Sequence, residues 1–277
     1  VENCMKDNRF GFEETSYLLL FGTLPNKKRL DEFCRILGSK RSLPIGFARD
    51  IILTAPSKSV MNKLATSVLS LYSYDSNPDD CSPENVLKQS IDLIGYFPSM
   101  MAYAYQAKYA HYDNRNLHLQ YPNPEMSTAE NILRLIRPDG QFTDIEAKLL
   151  DISMILHAEH GGGNNSSFTT HLVSSTGTDT YSAIAAAIGS LKGPKHGGAN
   201  LAVIGMMKDI MSNVKDITDF KEVEEYLKKI LAGKANDGSG LIPFIPFPIR
   251  EPYYSRKWQN SSRSKRIFWM NSCFMIL

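Results

Sequence analysis

The feature that most constrains this chain is a hydrophobic repeat at helical spacing, which recurs along most of its length. Two clear examples are the sets Leu30, Phe33, Ile36, Leu37 and Val60, Leu64, Val68, Leu71. Residues at positions i, i+3, i+4 and i+7 lie on one side of an α-helix, so each set predicts an amphipathic helix. Apolar and polar residues do not alternate with period two over several segments. The sequence therefore predicts a mostly α fold built from packed helices.

Polar residues at the predicted helix starts support this fold class. Ser127 with Glu130, and Thr143 with Glu146, have the spacing of a capping box ahead of an apolar run. In that motif the hydroxyl and the carboxylate each accept a hydrogen bond from a backbone N–H that the helix leaves unpaired. Ser57 is the predicted N-cap of the second helix described above.

Composition and charge argue against several classes of protein. The 277 residues are 43% hydrophobic, enough to bury a sizeable core in one large or two smaller domains. A net charge of +2 is too small to suggest a nucleic-acid partner. No apolar run approaches the roughly 20 residues of a membrane span. The four cysteines have no CxxC spacing, and VENCMKDNRF has no apolar signal segment, so reduced thiols in the cytoplasm are expected.

The first candidate site is HAEHGGGNN, residues 157–165, which follows an apolar helical run. Glycines end helices and let backbone N–H groups approach a ligand. His160 and Asn164 add an imidazole and an amide beside those glycines, so both are candidate binding residues. We interpret His157 as a buried, hydrogen-bonded histidine. A metal site is an alternative, but the HExxH spacing and a third ligand are missing, so no metal is predicted.

The second candidate site is GPKHGGAN, residues 193–200, in which His196 lies between Gly-Pro and Gly-Gly. Proline fixes one backbone dihedral and glycines allow unusual ones, so this loop can present one imidazole in a fixed position. Histidine titrates near neutral pH and suits general acid–base chemistry, which makes His196 the candidate catalytic residue. Lys192 and Lys195 add positive charge that suits an anionic substrate.

The residues alone leave three classes of function open. They are an enzyme built around the two histidine–glycine clusters, a non-catalytic helical partner chain, and a metal-binding helical protein. The sequence contains no GxSxG, GxGxxG or GxxxxGK[ST] motif, so hydrolases and nucleotide-binding folds of those kinds are unsupported.

The block from the first cluster to the second, HAEHGGGNNSSFTTHLVSSTGTDTYSAIAAAIGSLKGPKHGGAN, resembles the central part of citrate synthases. GFEETSYLLLFGTLPN and STAENILRLIRPDG resemble further segments of bacterial citrate and 2-methylcitrate synthases. The likeness covers Gly11 to Ile242. It implies a transferase of the tricarboxylic acid cycle that joins acetyl-CoA to oxaloacetate, or a 2-methylcitrate synthase that uses propionyl-CoA.

The resemblance also implies an architecture and a set of residue roles. Residues 1–196 are similar to the family's helical large domain without its N-terminal part, residues 197–242 to the first helices of the small domain, and the family works as a homodimer. His160 and Asn164 match residues that bind oxaloacetate. His196 matches the donor to the thioester carbonyl of acetyl-CoA, and Lys195 beside it is expected to help to bind the coenzyme. The family needs no metal and no tightly bound cofactor, since acetyl-CoA is a co-substrate.

The likeness stops after Ile242. There the family has a YGxGHAVY-type motif and then SDPR, which supply a histidine and an arginine for oxaloacetate, whereas this chain continues PFIPFPIREP. Codons can be written for residues 243–252 that, regrouped one base earlier, spell AVYTLSDPRT, which is the expected continuation. The last two bases of each regrouped codon are the first two bases of one original codon, which the amino acid largely fixes, so chance agreement over this length is not expected.

Residues 243–277 are therefore interpreted as an out-of-frame tail. They contain six basic residues and one acidic residue, so a basic arm for nucleic acid or membrane is the alternative, which the frame argument outweighs. The catalytic aspartate of the family and two further arginines lie beyond this point. The chain as given is thus expected to be inactive.

Overall fold

The computed structural model describes residues 7–158, 164–194 and 197–238. These residues fall into two compact units, one ending at Ser190 and the other beginning at Leu191. Regular structure in the described ranges is helical throughout, which confirms the prediction of a mostly α fold. None of the helices described there is long and apolar enough to cross a membrane.

Along the described chain the α-helices are α1 (Phe12–Phe21), α2 (Lys27–Ser39), α3 (Val60–Leu71), α4 (Pro83–Tyr112), α5 (Thr128–Ile136), α6 (Asp144–Ala158), α7 (Asn165–Ser174), α8 (Thr180–Lys192), α9 (Gly198–Asn213) and α10 (Phe220–Leu231). A π-helical segment, Ala48–Leu53, precedes α3, and a 3₁₀ turn, Tyr72–Tyr74, follows it. In the second unit, α9 and α10 share a small core formed by Met206, Ile210, Val214 and Ile230.

The long helix α4 organises the core of the first unit. Ser82 caps it, since its Oγ accepts the N–H of Asn85 at 3.4 Å, and Pro83 occupies the first helical position, where no N–H is needed. The helix packs against α2, α3, α5 and the π-helical segment. Its fully buried apolar side chains include Leu93, Ile94, Phe97, Met100 and Ala102. Burial of each large side chain stabilises the fold by about 1.5–3 kcal/mol. Together these contributions exceed the cost of the backbone hydrogen bond that Pro98 removes from the helix interior.

Both predicted capping boxes are present. The Oγ of Ser127 accepts the N–H of Glu130 at 3.3 Å, and the Glu130 carboxylate accepts the N–H of Ser127 at 2.7 Å. Thr143 and Glu146 form the same reciprocal pair at the start of α6, with distances of 3.4 and 2.8 Å. Local polar spacing therefore predicted these two helix starts.

The predicted N-cap of α3 was wrong by two residues. Ser59, not Ser57, caps the helix, since its Oγ accepts the N–H of Asn62 at 3.2 Å. The hydroxyl of Ser57 instead accepts the N–H of Ser59 at 3.2 Å. Serines at both positions are compatible with a cap, and the helix begins at the later one.

A buried ion pair joins distant parts of the first unit. Glu13 and Arg41 are 5% and 3% exposed, and Oε1 of Glu13 lies 3.6 Å from Nη2 of Arg41. Oε1 of Glu13 also accepts the N–H of Thr128, the first residue of α5, at 2.7 Å. Nη1 of Arg41 donates to the carbonyls of Asn123 and Pro124 at 3.0 and 3.4 Å. The pair thus connects α1 and the end of α2 to the segment that enters α5.

A second buried carboxylate, Asp151 of α6, accepts hydrogen bonds from backbone N–H groups at the N-terminus of α1. Its two oxygens accept the N–H groups of Gly11 and Phe12 at 2.8 and 3.1 Å. Only 2% of Asp151 is exposed. Burial raises its pKa from 3.8 to about 6, although the two N–H donors act in the opposite sense.

The raised pKa of Asp151 predicts a pH dependence of stability. Between about pH 4 and pH 6, Asp151 holds a proton in the native state that it has released in the unfolded state. The contribution of this proton binding to the unfolding free energy is therefore complete below about pH 4 and is lost as the pH rises through about 6. Relative to Asp151→Asn, the wild-type chain should lose about 2–3 kcal/mol of unfolding free energy over that interval. Urea unfolding across the interval measures the difference. Asp144→Asn, which changes an exposed carboxyl on the same helix, is the control, and identical pH profiles for wild type and Asp151→Asn would contradict the assignment.

Candidate active site

The structure describes the flanks of both histidine–glycine clusters. Asn164 lies within the described residues, whereas His160, Lys195 and His196 lie outside them. The roles predicted for those three residues therefore remain predictions. The described residues include the local structure that leads into and out of each cluster.

Asn164 is the N-cap of α7. Its Oδ1 accepts the N–H of Ser167 at 2.9 Å, and its Nδ2 donates to Oγ of Ser167 at 2.8 Å. Ser167 is fully buried, so these two bonds of the Asn164 side chain fix the point where the chain enters the helix. The Asn-x-x-Ser spacing is the sequence signal that would have revealed Ser167. The predicted role of Asn164 in binding oxaloacetate is compatible with this cap and stays a prediction.

The buried side of α7 is polar. Ser166 and Thr170 are each 1% exposed, and Oγ1 of Thr170 donates to the carbonyl of Ser166 at 3.1 Å. Phe168 and Leu172 are instead 60% and 57% exposed. Burial also lowers the pKa of His171, which keeps this imidazole neutral at physiological pH. A search for apolar periodicity misses such a helix, because its hydroxyl groups face inward.

His157 is exposed, so its interpretation as a buried histidine was wrong. Its Nδ1 lies 2.6 Å from the carbonyl oxygen of Ser153, one turn earlier in α6. A carbonyl oxygen only accepts hydrogen bonds, so Nδ1 carries the proton and donates it. The ring is therefore held against the backbone of its own helix.

Backbone hydrogen bonds connect the two ends of the loop that contains the second cluster. The N–H of Gly197 donates to the carbonyls of Leu191 and Gly193 at 3.0 and 3.1 Å. A Cβ added to Gly197 would lie 2.2 Å from the carbonyl oxygen of Leu191, so no larger residue fits without a backbone shift. Glycine at this position is therefore required by close approach, on the C-terminal side of Lys195 and His196.

Gly197→Ala is expected to lower the free energy of unfolding by about 1–3 kcal/mol, because the backbone must move to admit the methyl group. Gly205→Ala is the matched control. Gly205 lies inside α9, where an added Cβ meets no atom within 4 Å, so alanine should stabilise the helix by about 0.5–1 kcal/mol. Urea unfolding of the two variants should give changes of opposite sign. Equal stabilisation by both would show that the close approach at Gly197 is not strained.

Comparison with known proteins identifies the family. Residues 2–243 match the family model described as citrate synthase, C-terminal domain. The chain belongs to the citrate synthase family. This confirms the resemblance found in the sequence, since the matched range contains Gly11 to Ile242.

Relatives in the citrate synthase family are longer than this chain. The citrate synthase of Haloferax volcanii is 33% identical over 226 residues, which are 79% of this chain and 56% of that protein. The 2-methylcitrate synthase 2 of Corynebacterium glutamicum is 34% identical over 211 residues, 75% of this chain and 52% of that protein. The citrate synthase structure from Thermotoga maritima superposes with a TM-score of 0.62 at 30% identity, covering 83% of this chain and 56% of that one. The chain thus spans about half the length of the relatives it matches.

Within the described residues no group of three His, Cys, Asp or Glu side chains could hold a metal ion. The polar groups that the structure places near the first cluster are amides, hydroxyls and helix N–H groups. Amide and helix N–H groups can donate hydrogen bonds to carboxylate and carbonyl oxygens.

Proposed function

We propose that this chain carries substrate-binding and catalytic elements of a citrate synthase. The reaction is the condensation of acetyl-CoA with oxaloacetate and water to give citrate and CoA, an acyl transfer. The observation that carries the proposal is the family match over residues 2–243, which includes both histidine–glycine clusters. In this proposal the protein acts in the cytoplasm, in the tricarboxylic acid cycle, as a homodimer.

His196 is proposed as the catalytic hydrogen-bond donor to the thioester carbonyl. When a carboxylate removes a proton from the acetyl methyl group, negative charge develops on that oxygen. A donor already in place stabilises this charge with no reorganisation at the moment of reaction. The backbone bonds of Gly197 support the proposal, because they restrain the chain directly after His196. The enol then attacks the oxaloacetate carbonyl, and water cleaves citryl-CoA.

Oxaloacetate is proposed to bind at the first cluster, through His160 and Asn164. Asn164 caps α7, and a helix N-terminus carries partial positive charge that favours a dianion. Lys195 is proposed to contribute positive charge toward the phosphates of the coenzyme. No tightly bound cofactor is required.

The chain as given is proposed to be inactive, because residues 243–277 replace the family's continuation. The test measures release of the CoA thiol with acetyl-CoA and oxaloacetate. One arm uses the chain as given, and the other uses a version whose reading frame is restored after Ile242 and which continues through the family's remaining segments. We expect an oxaloacetate-dependent rate only in the restored version. A robust rate from the chain as given would overturn the frame interpretation, and no rate from either would favour a non-catalytic partner chain.

A second candidate is 2-methylcitrate synthase. The chain is 34% identical to the 2-methylcitrate synthase 2 of Corynebacterium glutamicum and 33% identical to the citrate synthase of Haloferax volcanii, so the identities support both candidates equally. One additional methylene in an acyl pocket changes binding by only about 1–3 kcal/mol, so neither sequence nor fold separates the two substrates. A propionyl-CoA arm in the same assay decides between them through the ratio of the two kcat/KM values.

A further inference from the structure

The hydrogen bonds of Asn164 determine which way its side-chain amide faces. Its Oδ1 lies 2.9 Å from the backbone nitrogen of Ser167, and its Nδ2 lies 2.8 Å from Oγ of the same residue. A backbone N–H can only donate, so the amide atom that faces it must be the oxygen. The opposite assignment of oxygen and nitrogen would place two donors against each other.

Ser167 holds the amide in this orientation. The residue is fully buried in the first turn of α7, so its own position is fixed by the packing of the helix. Both bonds go to this one residue, and the planar amide is therefore held at two points. It cannot rotate about its Cβ–Cγ bond without breaking both of them.

The second hydrogen on Nδ2 of Asn164 is directed away from Ser167. The two hydrogens of an amide NH2 group lie in one plane and point in different directions, so only one of them faces Oγ. Because Oδ1 is already committed to the N–H of Ser167, the other edge of the amide offers a donor. Oxaloacetate carries two carboxylates and a ketone, whose oxygens are all acceptors. The orientation of the amide thus matches the chemistry of this substrate.

We propose that Ser167 is a positioning residue, which directs the second N–H of Asn164 toward a carboxylate or ketone oxygen of oxaloacetate. The inference rests on the proposed function, in which Asn164 binds that substrate. Ser167 is buried and acts through Asn164. It therefore affects the affinity for oxaloacetate and not the affinity for acetyl-CoA.

Ser167→Ala tests the proposal, because alanine keeps the backbone N–H that Oδ1 of Asn164 accepts and removes the Oγ that Nδ2 reaches. The amide is then held at one point only. In the version with the reading frame restored after Ile242, KM for oxaloacetate should rise about three- to tenfold, with kcat and KM for acetyl-CoA within about twofold of the unsubstituted values. Thr169→Ala is the control. It removes a hydroxyl that donates to the carbonyl of Asn165 on the same helix, and all three constants should stay within about twofold.

A double-mutant cycle separates positioning from a general effect on α7. Asn164→Ser keeps an oxygen for the N–H of Ser167, so it retains the helix cap but has no amide. Alone, it should raise KM for oxaloacetate at least as much as Ser167→Ala, since it removes the donor itself. In the Asn164→Ser background, Ser167→Ala should change that KM by less than about twofold, because no amide remains to be oriented. An equal rise in both backgrounds would overturn the proposal.

Ser167→Cys separates the lost acceptor from a cavity in the helix packing. Cysteine fills a similar volume, and its thiol is only a weak acceptor, so KM for oxaloacetate should rise nearly as much as in Ser167→Ala. A rise in Ser167→Ala with an unchanged KM in Ser167→Cys would assign the effect to the cavity and overturn the positioning role.

The unsubstituted restored version distinguishes this proposal from the proposed function. If that version has no oxaloacetate-dependent rate, the proposed function fails and the positioning role fails with it. If it is active and KM for oxaloacetate does not respond to Ser167→Ala, only the positioning role fails.

Discussion

Replacing Arg41 by methionine is expected to lower the free energy of unfolding of the first unit by about 3–5 kcal/mol. Methionine fills a similar apolar volume, so the expected loss comes from the missing charge and donors. Glu13 would remain buried without its cation. The carbonyls of Asn123 and Pro124 would lose the donor that Nη1 of Arg41 provides. An unpaired buried charge costs far more than the pair contributes when intact.

Two controls separate this effect from the loss of any arginine. Arg35→Met removes an exposed arginine from α2 and should change stability by no more than about 0.5 kcal/mol. Combining Arg41→Met with Glu13→Gln should cost less than the sum of the single changes, because the second removes the charge that the first leaves unpaired. Denaturant unfolding of the wild-type chain, Arg41→Met, Glu13→Gln and the double variant measures the coupling free energy. Additive effects, or a cost for Arg41→Met equal to that for Arg35→Met, would show that the pair is not coupled.

The helices could be predicted because their signals are local. The apolar repeat of α3 and the capping boxes at Ser127 and Thr143 involve residues within a few positions of one another. The contacts that join helices carry no such signal. Asp151 accepts the N–H of Gly11 across 140 positions, and Arg41 reaches Asn123 across 82. Nothing in the spacing of these residues indicates that a carboxylate or a guanidinium will be buried there.

The candidate site was predictable to a similar extent. Glycine runs next to histidines indicated both clusters, and the family resemblance, now confirmed, supplied the roles. The pairing of Asn164 with Ser167 spans three residues but differs from the Ser/Thr-x-x-Glu pattern, because both of its hydrogen bonds involve the Asn164 side chain. The polar inner side of α7 was missed for a physical reason. Its buried hydroxyls are satisfied by the helix itself, as Thr170 is by Ser166, so no apolar pattern is needed there.

His196→Ala should reduce kcat by roughly 10²-fold or more in the version with the reading frame restored after Ile242. The expected loss follows from where the charge forms. The thioester oxygen is nearly neutral in the bound substrate and becomes anionic as the methyl proton leaves. In its proposed role, a hydrogen bond from His196 would strengthen along the reaction, so its removal should raise the barrier more than it weakens binding.

His157→Ala is the matched control for that measurement. It removes an exposed imidazole whose Nδ1 already contacts the carbonyl of Ser153, and turnover should stay close to that of the unsubstituted enzyme. Steady-state rates with acetyl-CoA and oxaloacetate varied in turn give kcat and both KM values for each variant. If His196→Ala raised only the KM for acetyl-CoA, the residue would bind ground state and transition state equally and would not be the donor. A large fall in kcat with little change in either KM is the result that places His196 at the oxygen where the enolate charge develops.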